Sequence, residues 1–169
     1  MNHLPKRSAF TLIELLVVIS IIAILASLAI PAASGAIDRA KKAQAQNAAT
    51  QIATAIIGYE TEYGHLPTNG TSDDSGYANL FNVLGNIGSA STENPRGIVF
   101  LEIPDAKNGK NGLAGNNYKD PWGNTYVVVM DGNYDNSITV NGETLRKKVA
   151  VYSNGKDKQA GTTDDAKSW

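Results

Sequence analysis

From Phe10 to Ile30 every position is apolar except Thr11, Glu14, Ser20 and Ser27. As a helix this run is about 31 Å long at roughly 1.5 Å per residue, enough to cross a hydrocarbon core of ~30 Å. The spacing then changes. Ile37, Ala40, Ala45, Ala48, Ile52, Ala55, Ile56, Tyr59 and Tyr63 recur at three- and four-residue steps, with Lys41, Lys42, Gln46, Asn47 and Gln51 on the other side. That is an amphipathic helix stripe. One helix is therefore expected, with a membrane half over 10–30 and an amphipathic half over 31–64. Pro31 should kink it, and Gly64 with Pro67 should stop it.

The remainder, 65–169, reads as a small head. Thr68–Ser75 is polar and loop-like, Tyr77–Leu84 a short helix, and Ile98–Ile103 a strand or a buried extended piece. Ala106–Asn117 is rich in Gly, Asn and Lys, so it is expected to be a loop. Thr125–Met130 and Lys148–Ser153 carry strand signals, and Ile138–Val140 adds a third, short strand. Asp131–Asn136 and Asn141-Gly142 supply the turns. An antiparallel sheet of about three strands laid over the helix stripe gives an α+β fold.

Composition narrows the function. A net charge of −1 argues against a basic nucleic-acid-binding face. With no cysteine there is no disulfide framework and no thiolate metal site. Two isolated histidines and no Ser/His/Asp, Cys/His or HExxH-type arrangement leave little acid–base chemistry. The chain is expected to be structural, with no enzymatic activity. A head this small has a modest core, so a metal, a partner or packing on the helix should reinforce it.

Lys6 and Arg7 precede the apolar run, as in a secretory signal peptide. The run is longer than the usual ~7–15 residues of such a peptide, and it contains a carboxylate, Glu14. A local reading of Glu14 exists: Thr11-Leu12-Ile13-Glu14 fits a capping box. The other reading is a carboxylate kept in an apolar setting to meet a partner charge. Flanking charge favours a cytoplasmic N-terminus only slightly, because Lys6, Arg7 and the initial amine face Asp38, Arg39, Lys41 and Lys42 and both flanks are basic.

The string Ser8-Ala9-Phe10-Thr11-Leu12-Ile13-Glu14-Leu15-Leu16-Val17-Val18-Ile19 resembles the class III signal of type IV pilins and type II secretion pseudopilins. The resemblance implies a leader, 1–9, removed by a prepilin peptidase between Ala9 and Phe10, with methylation of the new amine. It also implies that Glu14 meets the N-terminal amine of a neighbouring subunit during assembly. Ala9 stands where the family usually has Gly. The helix end, IATAIIGYETEYGHLPT over 52–68, is similar to the pseudopilin step into the head.

Asp120-Pro121-Trp122-Gly123-Asn124-Thr125-Tyr126 is a Pro/Gly turn opening a strand, and it resembles the DPWG-N-x-Y element of the major pseudopilins. Ser153–Asp165 reads SNGKDKQAGTTDD, an acidic, Gly-containing loop. Its carboxylates and carbonyls suit a hard cation, although from chemistry alone a solvated acidic loop is the better account. It is similar to the pseudopilin loop Ser-Leu-Gly-x-Asp-Gly with an Asp seven residues on. That resemblance implies calcium held by Asn154 (through its carbonyl), Asp157, Asp164 and Asp165, with Lys158 in place of the family's Gly. Asp131-Gly132-Asn133-Tyr134-Asp135-Asn136 starts like an EF-hand loop but lacks Gly at the sixth position and Glu at the twelfth. A turn is the better account.

The expected function is thus a filament subunit of a type II secretion pseudopilus, single-pass in the bacterial inner membrane with its head outside the cytoplasm. The implied partners are copies of itself, other pseudopilins, the inner-membrane assembly platform and the peptidase. A type IV pilus subunit, or a monomeric anchored or secreted binding domain, are the alternatives. The absence of cysteine, which major pilins commonly use to close the C-terminal region, favours the pseudopilus.

Overall fold

A computed structural model describes residues 10–67, 79–88 and 92–169. The chain divides into two compact units, 1–39 and 40–169. Helix α1 runs Leu12–Tyr63 and spans Pro31 without ending there. It stops at Gly64, whose φ of +78° few side chains tolerate, with the Gly64 N–H returning to the Glu60 carbonyl at 2.8 Å. In the first unit the apolar side chains from Leu12 to Leu28 are exposed along the whole described stretch. It is a segment long and apolar enough to cross a membrane.

In the second unit the helix stripe is the floor of the core. Ala45, Ala49, Ile52, Ala55, Ile56 and Tyr59 are buried. The expected stripe is corrected at three positions: Ile37 and Ala40 are exposed, and Ala49 takes the central place assigned to the half-buried Ala48. The 3.6-residue period admits either alanine, and only the facing surface decides between them.

Helix α2 runs Leu80–Gly85; Tyr77 and Ala78, where it is expected to start, lie outside the described residues, as does the polar loop 68–75. The chain then follows a hairpin, β1 (Gly112–Ala114) with β2 (Asn117–Lys119), in a stretch expected to be a loop. Gly115 at +61° makes that turn, and Leu113 and Tyr118 pack against the core. Residues 98–103 form no strand. Instead the Phe100 and Leu101 N–H groups cap the Leu84 carbonyl at the end of α2.

The central sheet is antiparallel, ordered β3 (Val127–Met130), β6 (Val149–Ser153), β7 (Ala166–Lys167). Its third strand is β7, not the expected Ile138–Val140. That segment is β4, folded onto β5 (Glu143–Leu145) by the two-residue turn Asn141-Gly142, both at positive φ. The alternation of β3 and β6 explains the layers. Val128, Met130, Val149 and Val151 face the α1 cluster. Val129, Ala150 and Tyr152 face a second cluster with Ile138, Val140 and Leu145. With both faces covered, every residue of β6 is buried.

Candidate functional site

Three elements carry the expected chemistry: the helix start, the C-terminal loop and the Asp-Pro-Trp-Gly-Asn turn. At the helix start, Thr11 and Glu14 form a complete capping box. The Thr11 N–H and hydroxyl donate to Glu14 Oε2 at 2.8 and 2.7 Å, and the Glu14 N–H returns to Thr11 Oγ1 at 3.3 Å. Within one subunit Glu14 is therefore used locally. Phe10 is 82% exposed at the tip, while Ala9 and the rest of the 1–9 leader lie outside the described residues.

The C-terminal loop brings part of its expected ligand set together. Asp164 Oδ2 accepts the N–H groups of Lys156 at 2.6 Å and Asp157 at 3.0 Å, and Oδ1 accepts the Thr162 hydroxyl at 2.6 Å. These bonds, the Thr162 hydroxyl first, depress the Asp164 pKa from 3.8 to about 2. Asp165, nearly buried, accepts the Gly161 N–H at 2.8 Å. The carboxylate of Asp157 is exposed and serves the Gln159 N–H at 2.8 Å.

Two observations bear on whether a hard cation fits. Asn154 Oδ1 is buried without a hydrogen-bond donor, so the loop holds one oxygen whose desolvation nothing within the chain offsets. Gly155, at φ +66°, lets the Asp164 carboxylate lie against the backbone; a Cβ there would sit 2.5 Å from Asp164 Oδ2. The donors are all oxygens, as calcium requires. Among the described residues, however, no three or more acidic or histidine side chains are already gathered as a metal centre. The chemistry fits calcium, with Asp157 as the ligand that would have to turn inward.

The competing acidic stretch is a turn. Asp131, fully buried, accepts the N–H groups of Asp135 at 3.1 Å and Asn136 at 2.7 Å. Asp135 accepts the Ser137 hydroxyl, the Asn133 side-chain amide and the Ser137 N–H, which together lower its pKa. These carboxylates are committed to donors within the turn, as the turn reading requires.

Two links were not foreseen. Lys42 on α1 donates to the Thr163 carbonyl at 2.6 Å, and nothing in the local pattern of the helix distinguishes this lysine from Lys41. The Asp-Pro-Trp-Gly-Asn turn meets the C-terminal loop through Asp120, Asn124, Ser153 and Gly155. Here a signal existed, since the side chains of Asp and Asn bond backbone groups nearby, but the far partner could not be read from it.

An exposed apolar helix followed by a small α+β head is a pilin-like fold. Residues 4–30 match the family model for the prokaryotic N-terminal methylation motif. Over nearly its full length the chain is similar to pseudopilins. It is 29% identical over 168 residues to the type II secretion system core protein G of Aeromonas hydrophila, covering 97% of this chain and 93% of the relative. To the core protein G of Escherichia coli (strain K12) it is 29% identical over 169 residues, covering 100% of this chain and 95% of that one. No solved structure matches the chain.

Proposed function

We propose that the chain is a structural subunit of a type II secretion pseudopilus. The observation that carries this is the exposed apolar helix 12–28, with Glu14 its one carboxylate, on a chain similar to core protein G throughout. Such a surface is unfavourable in water at roughly 25 cal/mol per Å² and must be covered, first by lipid and then by copies of the same helix. Prepilin peptidase acts before Phe10. The N-terminus is cytoplasmic, the helix passes the membrane once, and the head lies outside. The assembly platform and other pseudopilins receive the helix, and calcium braces the C-terminal loop. The role is one of architecture rather than catalysis.

Intact mass spectrometry of the membrane-extracted protein tests the processing: loss of Met1–Ala9 with one added methyl group on Phe10 is the expected product. A mature N-terminus near Ser34 would replace this reading with a cleaved secretory signal. Electron microscopy of sheared surface material tests assembly, with thin filaments containing this chain as the expected result.

A further inference from the structure

The Asp-Pro-Trp-Gly-Asn turn carries more hydrogen-bonding capacity than a turn uses. Asp120 is fully buried. Its Oδ1 accepts the N–H groups of Trp122 and Asn124, both at 2.8 Å, and these close the turn together with the backbone bonds from Asp120 N–H to the Asn124 carbonyl and from Gly123 N–H to the Asp120 carbonyl. Its Oδ2 is directed to other ends: it accepts the Asn124 side-chain amide at 3.0 Å and the Ser153 hydroxyl. The same Asn124 amide donates to the Gly155 carbonyl at 2.6 Å, and the Ser153 hydroxyl accepts the Gly155 N–H at 3.1 Å. The backbone at 153–155 is thus gripped at a side chain, an N–H and a carbonyl. Directly beyond it lie the Lys156 and Asp157 N–H groups that hold Asp164.

We infer that Asp120 and Asn124 are positioning residues for the C-terminal loop: they preset the backbone from Ser153 to Asp157 so that the Asp164 carboxylate is held in place before a cation arrives. A turn that needed only to reverse the chain would be served by one side-chain oxygen. The second oxygen of Asp120 and the amide of Asn124 have their partners in the loop. Presetting matters because ordering a flexible loop at the moment of binding subtracts from affinity. That the ligand is calcium rests on the function proposed above, whereas the presetting of the loop does not.

The experiment uses the full chain in detergent micelles, comparing wild type with Asp120→Asn, Asn124→Ala and Ser153→Ala. Asp120→Asn retains the oxygen that closes the turn, and the other two leave Asp120 itself intact, so the set does not depend on one variant folding. Without calcium, amide hydrogen exchange at Lys156 and Asp157 should quicken at least tenfold in each variant, while Val128 and Val151 in the sheet keep wild-type rates. Calorimetric titration with calcium chloride should show a dissociation constant raised at least tenfold in Asn124→Ala. Wild-type exchange at Lys156 and Asp157 in all three variants overturns the inference. Equal loosening of loop and sheet also overturns it, since the turn would then merely hold the head together. Absence of calcium binding to wild type refutes the calcium reading alone, and the exchange rates still decide the presetting.

Discussion

The ammonium of Lys42 and the carbonyl of Thr163, 121 positions apart, are joined by a hydrogen bond of 2.6 Å. This ties the loop holding Asp164 and Asp165 to α1 just past the apolar half. Lys42→Met keeps the aliphatic stem and removes the donor. It should cost about 0.5–1.5 kcal/mol, the usual net value of one such bond, read as a lower thermal midpoint of the detergent-solubilised chain. An unchanged midpoint would show that the bond contributes nothing in solution.

The capping box of Thr11 and Glu14 separates two roles by substitution. Glu14→Gln preserves a side chain that serves in a capping box, while Glu14→Ala removes the cap as well as the charge. If Glu14 acts through its charge on a neighbouring subunit, both variants insert in the membrane yet fail to yield sheared filaments. Normal filament yield from the Gln variant would assign Glu14 to the cap alone.

What could be read from the chain, and what could not, follows from the range of the forces. The helix, its two halves and the strands around Val128 and Val151 repeat hydrophobic positions at local periods. The third strand was misplaced because Ala166–Lys167 is only a two-residue β7, too short for any period, while Ile138–Val140 looks more strand-like and spends itself on its own hairpin. The hairpin around Gly115 was hidden by its polar, glycine-rich composition. In the loop, Asp157 and Asp164 were found seven positions apart, but Asp164 meets the backbone N–H of Asp157 and not its carboxylate.

Acid should loosen this loop late. The Asp164 pKa is lowered from 3.8 to about 2 in the folded chain, so its bonds stabilise the fold fully above the unfolded value. That contribution is lost as pH falls from about 4 through about 2. Thr162→Val removes the hydroxyl that does most to stabilise the carboxylate and should move the Asp164 carboxyl titration upward, as followed by NMR. An unmoved midpoint would contradict the assigned cause.

Lys158 sits at φ +63°, a left-handed conformation that suits glycine. Lys158→Gly should therefore relieve about 1–2 kcal/mol of backbone strain, partly offset by about 0.4–1 kcal/mol from the greater freedom of glycine in the unfolded chain. A rise of the thermal midpoint by a few degrees is expected, and a fall would show that the lysine side chain holds a compensating contact.

Calcium should raise the thermal midpoint of the wild-type chain by ligand linkage, worth about 2.7 kcal/mol at a hundredfold excess over Kd. Magnesium should do much less, given its demand for a tight octahedral shell. Asp157→Ala and Asp164→Ala should remove the calcium shift, and Asp135→Ala should leave it intact because Asp135 belongs to the turn after β3. A shift that survives Asp157→Ala, or no shift in wild type, would return the loop to a solvated acidic segment.

The last residues of the chain are built into the sheet. β7 pairs with β6, Ser168 exchanges hydrogen bonds with Val151, and Trp169 packs edge-on against Tyr152 while the Lys167 ammonium sits over its ring. During synthesis α1 is made well before β7, so the edge of the central sheet is completed only once residues 166–169 have left the ribosome. The apolar helix is available to the membrane long before that, so anchoring precedes closure of the sheet, and the order of biogenesis is written into how far β7 lies from α1 along the chain.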